Sequence, residues 1–147
     1  MKKRIIAALF VLSVGQAGVY LSSLGGTAFT SLEPTSNTLG NVRVENELKE
    51  IRLDLADRKK TKTSKAAIGL ERKIESLADT LEKSYLKKRR ELAVKLDALE
   101  AAQAVKSGSP SKQLIATERD LVALDKKIDA LLKQADDLFI QLDKLAN

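Results

Sequence analysis

The chain has 147 residues, of which 31% are charged and 3% aromatic, and it carries a formal net charge of +6. It contains no cysteine and no histidine, which excludes disulfides, thiolate nucleophiles, histidine-based triads and metal sites built on Cys or His. Past the N-terminal segment Ala, Leu, Lys, Glu, Asp and Arg dominate, the composition of long helices or coiled coil.

Lys2, Lys3 and Arg4 supply half of the net charge, so the rest of the chain is only mildly basic. That balance, with no aromatic residues interleaved in the basic runs to stack on bases, leads us to expect no nucleic-acid partner.

The opening segment, "MKKRIIAALFVLSVGQAGVYLSSLGG", has no charge between Arg4 and Glu33. A helix over residues 5–24 would be about 30 Å long, enough to cross a bilayer. The same stretch also reads as a leader, with small residues suited to cleavage after Ala17 or Ala28. Residues 1–24 are therefore expected to be either a signal peptide or a single transmembrane anchor. The basic flank keeps the N-terminal end in the cytoplasm in both cases. The remainder is then exported: held at the inner membrane through residues 5–24 if uncleaved, or periplasmic or secreted after cleavage.

Residues 25–41, rich in Gly, Thr, Ser and Asn, read as a flexible linker. A helix is predicted over 42–69, where Val44, Leu48, Ile51 and Leu55 share one face. The run "RKKTKTSK" at 58–65 interrupts that face, and Gly69 weakens the helix further. Arg58, Lys59, Lys60, Lys62 and Lys65 carry no acid among them and form a candidate contact for a polyanion, an anionic lipid or an acidic partner. The plainer alternative is a solvated, exposed segment.

From Leu70 the apolar pattern resumes through Ile74, Leu77, Leu81, Tyr85, Leu92, Leu96 and Leu99. With Lys88 filling the gap, the spacing is that of an eleven-residue repeat, which predicts a nearly straight seam. Glu71, Glu75 and Asp79 fall in one row, read as a solvent face, and "KKRR" at 87–90 encircles the helix as a solvated, salt-bridged belt. A turn is predicted at 107–111, with Gly108 ending one helix and Ser109-Pro110 starting the next. Two long amphipathic helices joined this tightly predict an antiparallel hairpin over 70–147. Folding about Gly108 places Lys88 opposite Asp129.

The final helix shows a regular heptad. Leu114, Leu121, Ile128, Ala135 and Leu142 form one series and Thr117, Leu124, Leu131, Leu138 and Leu145 the other. The leucines and isoleucine of these series are the candidate interaction seam. Leu132 and Phe139 widen the stripe as a second-face contact, which needs cover from residues 42–57, another copy or a partner.

The fold class expected is all-α: a long antiparallel helical hairpin (coiled coil) preceded by a shorter helix and an N-terminal leader or transmembrane helix. No Gly-rich phosphate loop, nucleophile elbow or metal-ligand spacing is present, so neither an enzyme nor a cofactor is expected. The leading functional expectation is a structural or assembly protein of the bacterial cell envelope, acting through coiled-coil self-association or docking on a protein partner. In layout, with leader, basic balance and long helical arms, the chain resembles the Skp family of exported chaperones. That resemblance implies a holdase, though no segment reads as the strands of that family's trimerising body. Its short basic N-terminus, single span and external coiled coil are also similar in layout to phage inner-membrane spanins, which implies a lysis role.

Overall fold

A computed structural model describes residues 34–59, 64–106 and 108–146. The leader or anchor expected at 1–24, most of the linker, and Lys60 and Lys62 of the basic run lie outside the described residues. Among those described, 92% are helical and none forms a strand. No helix among them is long and apolar enough to cross a membrane.

The elements are α1 (Ser36–Arg58), α2 (Lys65–Thr80), a π turn (Leu81–Leu86), α3 (Lys87–Val105) and α4 (Lys112–Ala146). The segments from Lys65 to Val105 run on without a break, as one helix of 41 residues. This long helix and α4 form the expected antiparallel pair, and α1 packs along the long helix as a third rod. The cross-links give the directions. Asn37 reaches Asp97 and Lys59 reaches Glu75, so α1 runs antiparallel to the long helix. Arg43 reaches Asp129 and Arg58 reaches Asp143, so α1 runs parallel to α4.

Polar side chains fix where the helices start. Thr35 caps α1 by accepting from the Thr38 N–H at 3.2 Å. Its hydroxyl also donates to Asp97, to which Asn37 donates at 2.7 Å. Residues 36–41, expected in the linker, are therefore helical, because a cap and an anchor on α3 outweigh their low helix propensity. Ser64 caps α2 through the Ala67 N–H. Gly69, expected to weaken the helix, lies inside α2, which starts at Lys65 behind the Ser64 cap.

α3 ends at Val105 and α4 starts at Lys112, and the chemistry of the caps between them differs from that expected. The cap of α4 is Ser111, which accepts from the Leu114 N–H at 3.1 Å, and not Ser109. Gly108 has no positive φ. α3 ends instead through extended backbone at Lys106, and the Gln103 amide ties the turn by donating to the Gly108 and Ser109 carbonyls.

The core is one continuous apolar cluster drawn from all three rods. It includes Val44, Leu48, Ile51 and Leu55 of α1, Ile74, Leu77 and Leu81 of the long helix, and Leu124, Ile128, Leu138, Phe139 and Leu142 of α4. Thr117 is the polar member of the α4 seam. It is buried with its hydroxyl donating to the Gln113 carbonyl at 2.9 Å, which satisfies it within its own helix.

The π turn overturns the eleven-residue reading of the long helix. Ala67, Glu71, Ile74, Ala78 and Leu81 are buried at steps of four and three, as are Leu86, Arg89, Ala93 and Leu96 beyond the turn. Between Leu81 and Leu86 the step is five. A heptad seam is thus interrupted by one inserted residue, which the π turn absorbs so that the same face stays inward. Lys88, placed in the seam by an unbroken α-helix, is exposed, and Arg89 takes the inward position.

Candidate functional site

The α4 seam supplies the core of its own chain. Leu121, Leu124, Ile128, Leu138 and Leu142 are buried, Leu114 and Leu131 are half-buried, and Leu145 is 47% exposed. Of the widened stripe, Phe139 is buried and Leu132 half-buried. α1 belongs to the same core cluster, and its last residue reaches this stripe: the Arg58 guanidinium stands over the Phe139 ring at 5.1 Å from its centroid. Of the sources of cover that the sequence leaves open, α1 of the same chain reaches the stripe, through Arg58, one residue beyond 42–57.

Three described residues of the basic run occupy separate places. Arg58 forms an ion pair with Asp143, and Lys59 lies 3.4 Å from Glu75. Lys65 is exposed in the first turn of α2. The two cations at the end of α1 hold α1 to the other rods. Among the described residues of the run, Lys59 and Lys65 remain exposed and Arg58 is half-buried.

The acidic row is a solvent face at Glu75 and Asp79, whose side chains are 55% and 42% exposed, but not at Glu71. Asp79 lies between Arg52 at 3.1 Å and Lys83 at 2.9 Å. The hydrogen bond and charge of Lys83, aided by Arg52, hold its carboxyl below the ordinary aspartate value. Glu75 meets Lys59. Glu71 is only 6% exposed, and its Oε1 is buried without a hydrogen-bond partner. The row faces α1 at one edge and the core at the other, because α1 covers the side of the long helix that a two-helix hairpin leaves open. Among the described residues, no group of three or more carboxylates is gathered in a way that holds a metal ion.

The polar feature that the sequence does not announce is Arg89. The belt reading of "KKRR" fits Lys87, Lys88 and Arg90, which are exposed, with Arg90 bridged to Glu45 at 2.6 Å. Arg89 is 4% exposed. Its Nε donates to Asp125 Oδ1 at 2.7 Å and its Nη2 to Asp125 Oδ2 at 3.0 Å. Its Nη1 donates to the Asn37 carbonyl at 2.8 Å and to Asn41 Oδ1 at 2.7 Å. One guanidinium thus joins α1, α3 and α4.

The Arg89–Asp125 fork also sets the hairpin register, offset by about one helical turn from the pairing expected. Lys88 does not meet Asp129, which is held by Arg43 at 2.9 Å.

No family model, no curated protein and no solved structure matches this chain.

The node performs a positioning role. A buried bidentate arginine fixes direction as well as distance, and it accepts only one axial setting of each helix. An apolar seam repeating every seven residues tolerates a slip by one heptad, and a slip here would leave Asp125 and Asn41 without Arg89. The arrangement yields a rod of defined length and register.

Proposed function

We propose that the chain is a non-enzymatic structural or assembly protein of the bacterial cell envelope, held at the inner membrane or released from it by its N-terminal segment. The observation that carries this reading is the Arg89 node, which locks three long helices into one register. A spacer or docking rod needs a fixed length and fixed outer faces, and a node of this kind secures both. Docking on a partner through the outer faces is favoured over sharing the α4 seam, since Leu121, Leu124, Ile128, Leu138 and Leu142 are already packed within the chain. Neither the holdase nor the spanin-like alternative has an observation of its own to favour it.

Intact mass of the protein from envelope fractions, combined with alkaline carbonate extraction, tests the address. An uncleaved chain that resists extraction, or a chain cleaved after Ala17 or Ala28 and found outside the cytoplasm, supports the reading. An uncleaved chain recovered from the cytosol overturns it. Co-purification of one stoichiometric partner, in amounts unaffected by Leu145→Asp, supports docking over sharing of the seam.

A further inference from the structure

We infer that the outer face of α4 between Lys112 and Lys133 is a docking surface for an anionic lipid bilayer. Lys112, Arg119, Lys126 and Lys133 recur every seven residues and are all exposed. They form a row about 32 Å long, with a cation about every 10 Å. Between them on the same side lie exposed Ala116, Ala123 and Ala130, flanked by Ile115 at 46% and Val122 at 51% exposure.

The charge on α4 is sorted by face. Asp125 is taken by Arg89, Asp129 by Arg43 and Asp143 by Arg58, all at the edge or side turned toward the other rods. Of the remaining carboxylates near this face, Glu118 and Asp120 sit on opposite flanks, and Asp137 closes it at the C-terminal end. The cations on the outward row therefore project a field that no carboxylate within the row cancels.

A bilayer fits this face better than a soluble polyanion does. The aliphatic residues between the cations offer a hydrophilic chain no hydrogen-bonding groups. Against a membrane they enter the headgroup boundary, while the Lys and Arg stems lie along the helix and their heads reach phosphates. The alanines let the barrel of the helix lie close to the surface. Because cations and aliphatic side chains share one face, binding is peripheral and mainly electrostatic, and salt weakens it. The inference does not depend on whether the helices are exported.

The absence of cysteine allows one labelled position at a time in the full chain. An environment-sensitive fluorophore at Ala123→Cys is compared with the same label at Ser76→Cys, an exposed position on α2. On vesicles rich in phosphatidylglycerol, the label at position 123 is expected to shift to the blue and become shielded from an aqueous quencher. The label at position 76 is expected to do neither. The shift should vanish on phosphatidylcholine vesicles and in high salt, and Arg119→Gln with Lys126→Gln should weaken it about fivefold per cation removed. Because the readout is local, attachment of the vesicle through residues 1–33 does not reproduce it. The inference is overturned if position 123 stays exposed on anionic vesicles, or if its shift survives the two substitutions. It is equally overturned if polyphosphate shields position 123 while vesicles do not.

Discussion

Gly40 on α1 faces Arg89 on α3 so closely that a methyl group on its Cα would collide with the guanidinium. The glycine sits mid-helix, where its conformational freedom is a cost, and the space it leaves is filled by the arginine. Gly69 is also helical, but nothing lies within 4 Å of the position its Cβ would take. One substitution therefore has opposite signs at the two sites. Gly40→Ala should destabilise the fold by about 1–3 kcal/mol through overpacking at the node. Gly69→Ala should stabilise it by about 0.5–1 kcal/mol. Urea midpoints followed by circular dichroism check both, and equal shifts of the same sign would rule out the close approach.

Arg89 donates four hydrogen bonds to three partners on two other helices. Arg89→Met should cost about 3 kcal/mol, the low end for a broken buried pair, because the Asp125 side chain is 29% exposed and regains some water. Arg89→Lys should also lose stability, by about 1–2 kcal/mol, since an ammonium cannot make the planar fork. If the lysine variant unfolds at the same urea concentration as the parent, the fork contributes nothing to stability.

Glu71 is the opposite case, a carboxylate among core residues with one oxygen unpaired. Removing an unsatisfied buried polar group relieves its desolvation penalty, so Glu71→Leu should raise stability by about 1–3 kcal/mol. A fall in thermal midpoint for this variant would show that the carboxylate is satisfied in solution.

What the sequence reveals here depends on periodicity. The two long rods, their hairpin and the inward face of α4 follow from apolar residues at heptad spacing, and the structure uses Leu121, Leu124, Ile128, Leu138 and Leu142 as that pattern requires. The π turn escapes because a template of constant pitch cannot insert a residue. It keeps Lys88 in the seam, where the protein places Arg89, and it misses that Leu86 is buried beside the half-buried Tyr85. Arg89 itself escapes because one charged residue in "KKRR" looks like its neighbours until α1 and α4 are placed around it. Gly40 and Asn41 look like linker residues for the same reason. Their role is set by a side chain distant in sequence, and local composition carries no trace of it.

Asp79 gives a pH signature at the surface. Lys83 and Arg52 lower its carboxyl in the folded state, so its contribution is present above the unfolded aspartate value and fades as pH falls through the lower folded value. Carboxyl-detected NMR should find Asp79 titrating below an unperturbed aspartate, and Lys83→Gln should move it upward. Lys83 exerts the larger influence, so Arg52→Gln should move it less. A larger response to Arg52→Gln would reverse that order.

Ile128 is fully buried, whereas Leu145, in the same heptad pattern, is 47% exposed. If the seam is filled by α1 and the long helix of the same chain, Ile128→Ala leaves a cavity and costs about 2–5 kcal/mol. Leu145→Ala then changes stability by no more than about 0.5 kcal/mol, as at an ordinary surface position. The alternative is a seam shared between copies, in which Leu145 would be covered as well and the thermal midpoint would rise with protein concentration by mass action. Thermal melts of the parent and both variants over a wide concentration range separate the two. A midpoint independent of concentration, with a large effect at Ile128 and a negligible one at Leu145, is the outcome expected of a rod that completes its core alone. Such a rod keeps the cationic row of α4 available for an outside surface.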